Sequence, residues 1–109
     1  METLASVFEG ASVFTGSGVG NWDVSSVQTL NSAFTDAAEF VEDLSSWNVA
    51  AVTDTSFAFR GAAKFDHNLG SWLVGKVQID FQMFYDATAF QGIGLGSWDV
   101  SKVTEFQLM

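Results

Sequence analysis

Large apolar residues recur along the chain at a fixed interval. Trp22, Trp47, Trp72 and Trp98 are separated by 25, 25 and 26 residues, and Phe8, Phe34, Phe59 and Phe84 keep the same beat, each followed six residues later by Phe14, Phe40, Phe65 or Phe90. Val19, Leu44, Leu69 and Leu95 precede each Trp by three, and Val24, Val49, Val74 and Val100 follow it by two, with Val27, Val52, Val77 and Val103 five after it. A period in this range marks stacked repeats, in which each unit buries its apolar face only against its neighbours. The repeats run over about 1–27, 28–52, 53–77 and 78–103, with a partial fifth at 104–109, and form one domain, 1–109.

Within a repeat, Leu30, Ala33, Phe34 and Ala37 stand at i, i+3, i+4 and i+7, which predicts a helix of about two turns. The stretch Leu44-x-x-Trp47-x-Val49-x-x-Val52 predicts a short strand with Trp and Val inward and Asn48 outward. The fold expected from these elements is α/β: a right-handed solenoid of four coils, each a short helix plus a short parallel β-strand, with Phe, Trp, Leu and Val inside.

The pattern L-x-x-W-[DN]-V-x-x-V followed by a Phe-bearing segment resembles the BspA-like leucine-rich repeat, a bacterial surface-protein repeat of about 26 residues. Trp22-Asp23-Val24-Ser25-Ser26-Val27 and Trp98-Asp99-Val100-Ser101-Lys102-Val103 carry the likeness best. The resemblance implies a leucine-rich-repeat-like solenoid and a cell-surface or extracellular role in adhesion or interaction, although no signal peptide is present in this chain. It brings no catalytic residues. The chain departs from the pattern where a Met or Leu is expected and Thr55 or Asp80 stands.

Composition narrows the functions further. Thirteen acidic against four basic residues give a net charge of −9, which speaks against phosphate backbones and anionic lipid as partners. No run approaches the roughly 18 apolar residues of a membrane span, so no membrane insertion is expected. The chain has no cysteine, which excludes thiolate metal sites and a cysteine nucleophile. No nucleophile, base and orienting acid occur together, and the serines take turn-like positions, so the chain reads as a non-enzyme without a cofactor. Gly16-Ser17-Gly18-Val19-Gly20 and Gly92-Ile93-Gly94-Leu95-Gly96 lie where one extra residue separates Phe from Trp, and read as loops absorbing that insertion. Glu42, Asp43, Asp66, His67 and Asn68 form an acidic edge too sparse in alternating ligands for a dedicated calcium loop, and no metal site is assigned.

Three surfaces remain as candidates for contact with a protein or glycan partner, or with further copies of the chain. The first is apolar and off the repeat pattern: Phe57, Leu73, Ile79 and Phe81. The second is the outward row Asp23, Asn48 and Asp99. The third is the pair of solenoid ends, Leu4, Val7 and Phe8 at one and Val103, Phe106, Leu108 and Met109 at the other, which could join head to tail into oligomers or filaments.

Overall fold

The computed structural model describes residues 3–92, 94–103 and 105–107. Chain segments one repeat apart lie side by side, joined by parallel bridges from Thr3 to Thr29, Thr29 to Asp54 and Asp54 to Ile79. The last contact widens into a two-stranded parallel pair, β1 (Ile79–Phe81) with β2 (Glu105–Gln107). Coils therefore begin at Thr3, Thr29, Asp54 and Ile79, and their equivalent residues stack.

The coil itself is not the helix-plus-strand unit expected from the sequence. Among the described residues the only helical segments are two three-residue 3-10 turns, Val19–Asn21 and Leu95–Ser97, and β1 and β2 are three residues each. The four-coil α/β solenoid is thus overturned. Neither the Phe-bearing segment is a helix nor the Trp–Val segment a strand.

Left-handed backbone excludes the helix. In the second coil Ser32 and Asp36 have φ of 57° and 59°, matched by Ser6 and Gly10, Phe57 and Gly61, and Gln82 and Asp86 in the others. Two left-handed residues four apart break any α-helical run. Alternate amides turn outward along the stack: the N–H groups of Leu30, Ser32, Phe34 and Asp36 donate to the carbonyls of Asp54, Ser56, Ala58 and Arg60 at 2.7–2.9 Å. The amides of Ala33, Thr35 and Ala37 instead close tight turns on Leu30, Ser32 and Phe34. Half of the backbone hydrogen bonding is local and half runs to the next coil, so no main-chain donor in this stretch is orphaned.

The Trp–Val segment is also made of turns. Trp47 N–H donates to Leu44 O and Val52 N–H to Val49 O, both at 3.0 Å, and each x-x between the apolar residues is the bend of such a turn. Asp23, Asn48 and Asp99 accept the amide two residues on, from Ser25, Ala50 and Ser101 at 3.0–3.1 Å. An Asx turn is the local reason for Asp or Asn after Trp.

Inside, the aromatic rings form columns. Phe8, Phe34, Phe59 and Phe84 stack with centroids 5.1–5.7 Å apart, and Trp47, Trp72 and Trp98 lie 6.4 Å apart with planes within 7°. Each of these indoles donates to a carbonyl of the preceding coil: Trp47 to Val19, Trp72 to Leu44 and Trp98 to Leu69, at 2.8–3.0 Å. The interior position so combines a large apolar area with one satisfied donor, which is what an indole requires.

Candidate interaction surface

Three of the four off-pattern apolar residues, Phe57, Ile79 and Phe81, lie on the side of the stack formed by the amide ladder. Phe57 sits at one of the left-handed positions, φ 58°, where the first two coils carry Ser6 and Ser32. A bulky residue there is a backbone outlier. Its ring meets that of Phe81, from the next coil, edge to face at 5.6 Å. The Arg60 guanidinium lies over both Phe57 and Tyr85, 5.8 and 5.5 Å from the ring centroids. Phe81 and Tyr85 are 37% and 39% exposed, and Ile79 heads the same coil, exposed to the same degree as Phe81. The guanidinium thus lies within cation–π distance of two rings and beside a third, exposed one.

Leu73 does not join this group. It is 71% exposed and occupies the Asx-turn position taken in the other coils by Asp23, Asn48 and Asp99, all of them exposed. That row is a line of turn residues, not the outer face of a strand. Asp23 and Asp99 are held below the usual carboxylate range, chiefly by hydrogen bonds from Ser25 and Ser101.

Thr55 and Asp80, which break the apolar pattern, keep their places in the interior. Both are 2% exposed, and the Thr55 hydroxyl donates to Asp80 Oδ1 at 3.2 Å. Phe57 and Phe81 do not swing in to replace the missing apolar groups. A crevice lined by Val74, Val77, Trp98, Val100 and Val103 surrounds Asp80. Burial pushes its carboxyl up to about 6, against the Thr55 hydrogen bond, and the neighbouring Asp54 charge adds to the rise.

The acidic edge is dispersed among separate tasks. Glu42 accepts from the amides of Gly18 and Gly20, Asp43 from Ser45, Asp66 from Gln91 and Asn68 from Gly70. The His67 ring pairs with the Val41 carbonyl at 2.6 Å. Among the described residues no group of three or more His, Cys, Asp and Glu could hold a metal ion. No helix among them is long and apolar enough to cross a membrane.

At the ends, Leu4 is buried and Phe8 half-buried against Phe34, while Val7 is exposed. Val103 packs half-buried on the core at the other end. Phe106 contributes backbone to β2 and its side chain lies outside the described residues, as do Leu108 and Met109 altogether. Sequence reading missed Tyr85 and Arg60. Their signal was the substitution of large groups in a column that holds Glu9 and Thr35 in the first two coils.

One family profile, described as "Mycoplasma protein of unknown function, DUF285", matches residues 2–109. No curated protein and no solved structure matches the chain.

Proposed function

The chain belongs to the DUF285 family, and from that premise we propose that it is a non-enzymatic interaction module of the surface-protein type. It docks a protein or glycan partner through Phe57, Arg60, Phe81 and Tyr85. The observation that carries this reading is Phe57. The third coil places a phenylalanine at a left-handed position where two other coils use serine, and its ring supports an exposed aromatic cluster rather than the core. Backbone outliers of this kind persist where the surroundings over-determine them and often accompany function. Aromatic and Arg side chains are also the groups that dominate binding energy at interfaces. The likeness to the BspA-like repeat supports the surface-protein part of the reading and, with it, a cell-surface or extracellular location.

The test is the double change Phe57→Ser with Phe81→Ser, screened with the parent chain over a glycan array and a panel of extracellular-matrix proteins. Hits of the parent chain should weaken at least about tenfold in the variant, while the unfolding free energy falls by less than about 2 kcal/mol. Hits that are indifferent to the double change place the docking face elsewhere.

A second reading, head-to-tail self-assembly, is favoured by a different observation. The ladder has direction: amides of each coil donate to carbonyls of the next. In the second coil the carbonyls of Ala33 and Thr35 accept from the amides of Phe8 and Gly10, while the amides of Phe34 and Asp36 donate onward to Ala58 and Arg60, so a coil offers acceptors on one face and donors on the other. Donors on one face and acceptors on the other suit a heterologous contact. Light scattering across a hundredfold concentration range separates the readings. A constant 11.8 kDa belongs to the module, and a mass rising without plateau to the assembling subunit.

A further inference from the structure

Arg60 and Tyr85 are the chain's one arginine and one tyrosine, and the stacking of the third coil on the fourth brings them together. The Arg60 guanidinium forms no ion pair or hydrogen bond with a described residue, although the chain carries 13 acidic residues. Lys64, in the same coil, pairs with Glu39 at 2.7 Å. The rings of Phe57 and Tyr85 offset part of the guanidinium charge and leave its five N–H donors without an oxygen acceptor in the protein. Arg60 is thus an exposed positive fork whose hydrogen bonds go to water or to a ligand.

Main-chain hydrogen bonds set the ground on which this fork stands. Phe57 N–H donates to Phe81 O at 2.9 Å and Gly61 N–H to Tyr85 O at 2.7 Å, tying the two coils on either side of Arg60. Phe57 O accepts from Arg60 N–H at 3.2 Å and from the buried Thr35 hydroxyl at 2.6 Å. The backbone beneath the cluster therefore needs no ordering on binding.

The cluster is also small. Equivalent positions in the first two coils hold Ser6 and Ser32, Ala5 and Asn31, and Glu9 and Thr35, so no large apolar group extends it in that direction. Hydrogen-bonded coils lie about 5 Å apart, so the rings of two coils span on the order of 10 Å, the width of a disaccharide. A protein interface takes roughly 800 Å² on each partner. The net charge of −9 repels polyanions at long range, which leaves a ligand with a single carboxylate, paired at contact distance.

We propose that Phe57, Arg60, Phe81 and Tyr85 bind a carboxylated sugar. Arg60 takes the carboxylate in a bidentate, charge-assisted pair, and the C–H face of the pyranose lies on the exposed rings of Phe81 and Tyr85. The inference rests on the docking reading above and names the occupant of the same face.

The whole chain is titrated with methyl β-glucuronide, with methyl β-glucoside, which has a hydroxymethyl group in place of the carboxylate, with sodium acetate and with a tri-glutamate peptide. Arg60 Nε–H and the Tyr85 ring each give a single resonance set, since each residue occurs once. The glucuronide should shift both and bind at least about tenfold more tightly than the glucoside or acetate. Arg60→Lys keeps the charge and loses the fork, and should weaken the glucuronide at least about fivefold. Tyr85→Ala should weaken the glucuronide and leave acetate unchanged. The parent chain alone decides if a variant fails to fold. Equal binding of glucuronide and glucoside, or no shift at Arg60 with the glucuronide, overturns the proposal. Tighter binding of the peptide at the same two residues also overturns it, while leaving the docking reading intact with a protein as partner. Failure of the docking reading shows elsewhere, as array and matrix hits that ignore Phe57→Ser with Phe81→Ser.

Discussion

The second and fourth coils share a frame and differ in what they place on it. In the second, Leu30 fills the interior position, Ser32 takes the left-handed residue, and Glu42 reaches back to close the first glycine loop. In the fourth, the interior position is Asp80, the left-handed residue is Gln82 and the surface bears Phe81 and Tyr85. Ring columns and the amide ladder pass through both without a break in register. The difference teaches that the frame depends on the columns and the turn hydrogen bonds, and that single positions are free to serve other ends where each polar group finds a partner. Asp80 satisfies that condition through Thr55.

The sharpest way to break the comparison is to move the fourth coil's residue into the second. Leu30→Asp buries a carboxyl opposite Thr55, which already serves Asp80, and also removes a fully buried side chain. A loss of at least about 4 kcal/mol by urea denaturation is expected, a large share of the stability of a domain of this size. A loss below about 1 kcal/mol would show that the interior is not close-packed at this column.

The legibility of the fold divides along the same line. The columns were readable, since Phe34, Phe40, Phe59, Phe65, Leu44, Leu69, Trp47 and Trp72 are buried where the period places them. The backbone was not. Spacing of i, i+3, i+4 and i+7 fits a helix, but it fits equally a chain of turns each closed from i to i+3, as Ala33 on Leu30 and Ala37 on Phe34 are. Apolar periodicity reports which side chains face inward and is silent on the left-handed residues between them, here Ser32, Asp36, Phe57 and Asp86, none of them glycine. The same silence hid the surface cluster: Phe57 and Phe81 stood out as off-pattern, whereas Arg60 and Tyr85 join them only through the stacking of neighbouring coils.

A middle-sized effect sharpens the comparison through pH. The folded carboxyl of Asp80 titrates at about 6 against an ordinary 3.8, so the folded state holds its proton more tightly than the unfolded one. Stability from this group is fully present below about pH 4 and is lost as pH rises toward and through 6, by about 2–3 kcal/mol in all. Asp23, Asp43 and Asp99, held low by their serine hydrogen bonds, act with the opposite sign and lose their contribution in acid. Asp80→Asn should therefore abolish the decline between pH 4 and 7 while leaving the acid arm. A decline that survives the change would assign it to another group.

The smallest effect concerns the one turn that lacks its Asx hydrogen bond. Leu73 stands where Asp23, Asn48 and Asp99 accept an amide two residues on. Leu73→Asp supplies that acceptor for Gly75 and removes an exposed apolar group, and should raise the melting free energy by about 0.5–1 kcal/mol. No gain would mean that the turns of the other coils are held by the Val-to-Val hydrogen bond alone.

The direction of the ladder has a mechanical consequence. Its inter-coil hydrogen bonds connect each coil only to the next, so tension applied between the two ends of the stack is carried by every interface in series and the weakest yields first. Coils would detach singly, each freeing a repeat of 25 or 26 residues, roughly 80 Å of extended chain. A stack so connected would lengthen under load by about one repeat at a time rather than in a single step.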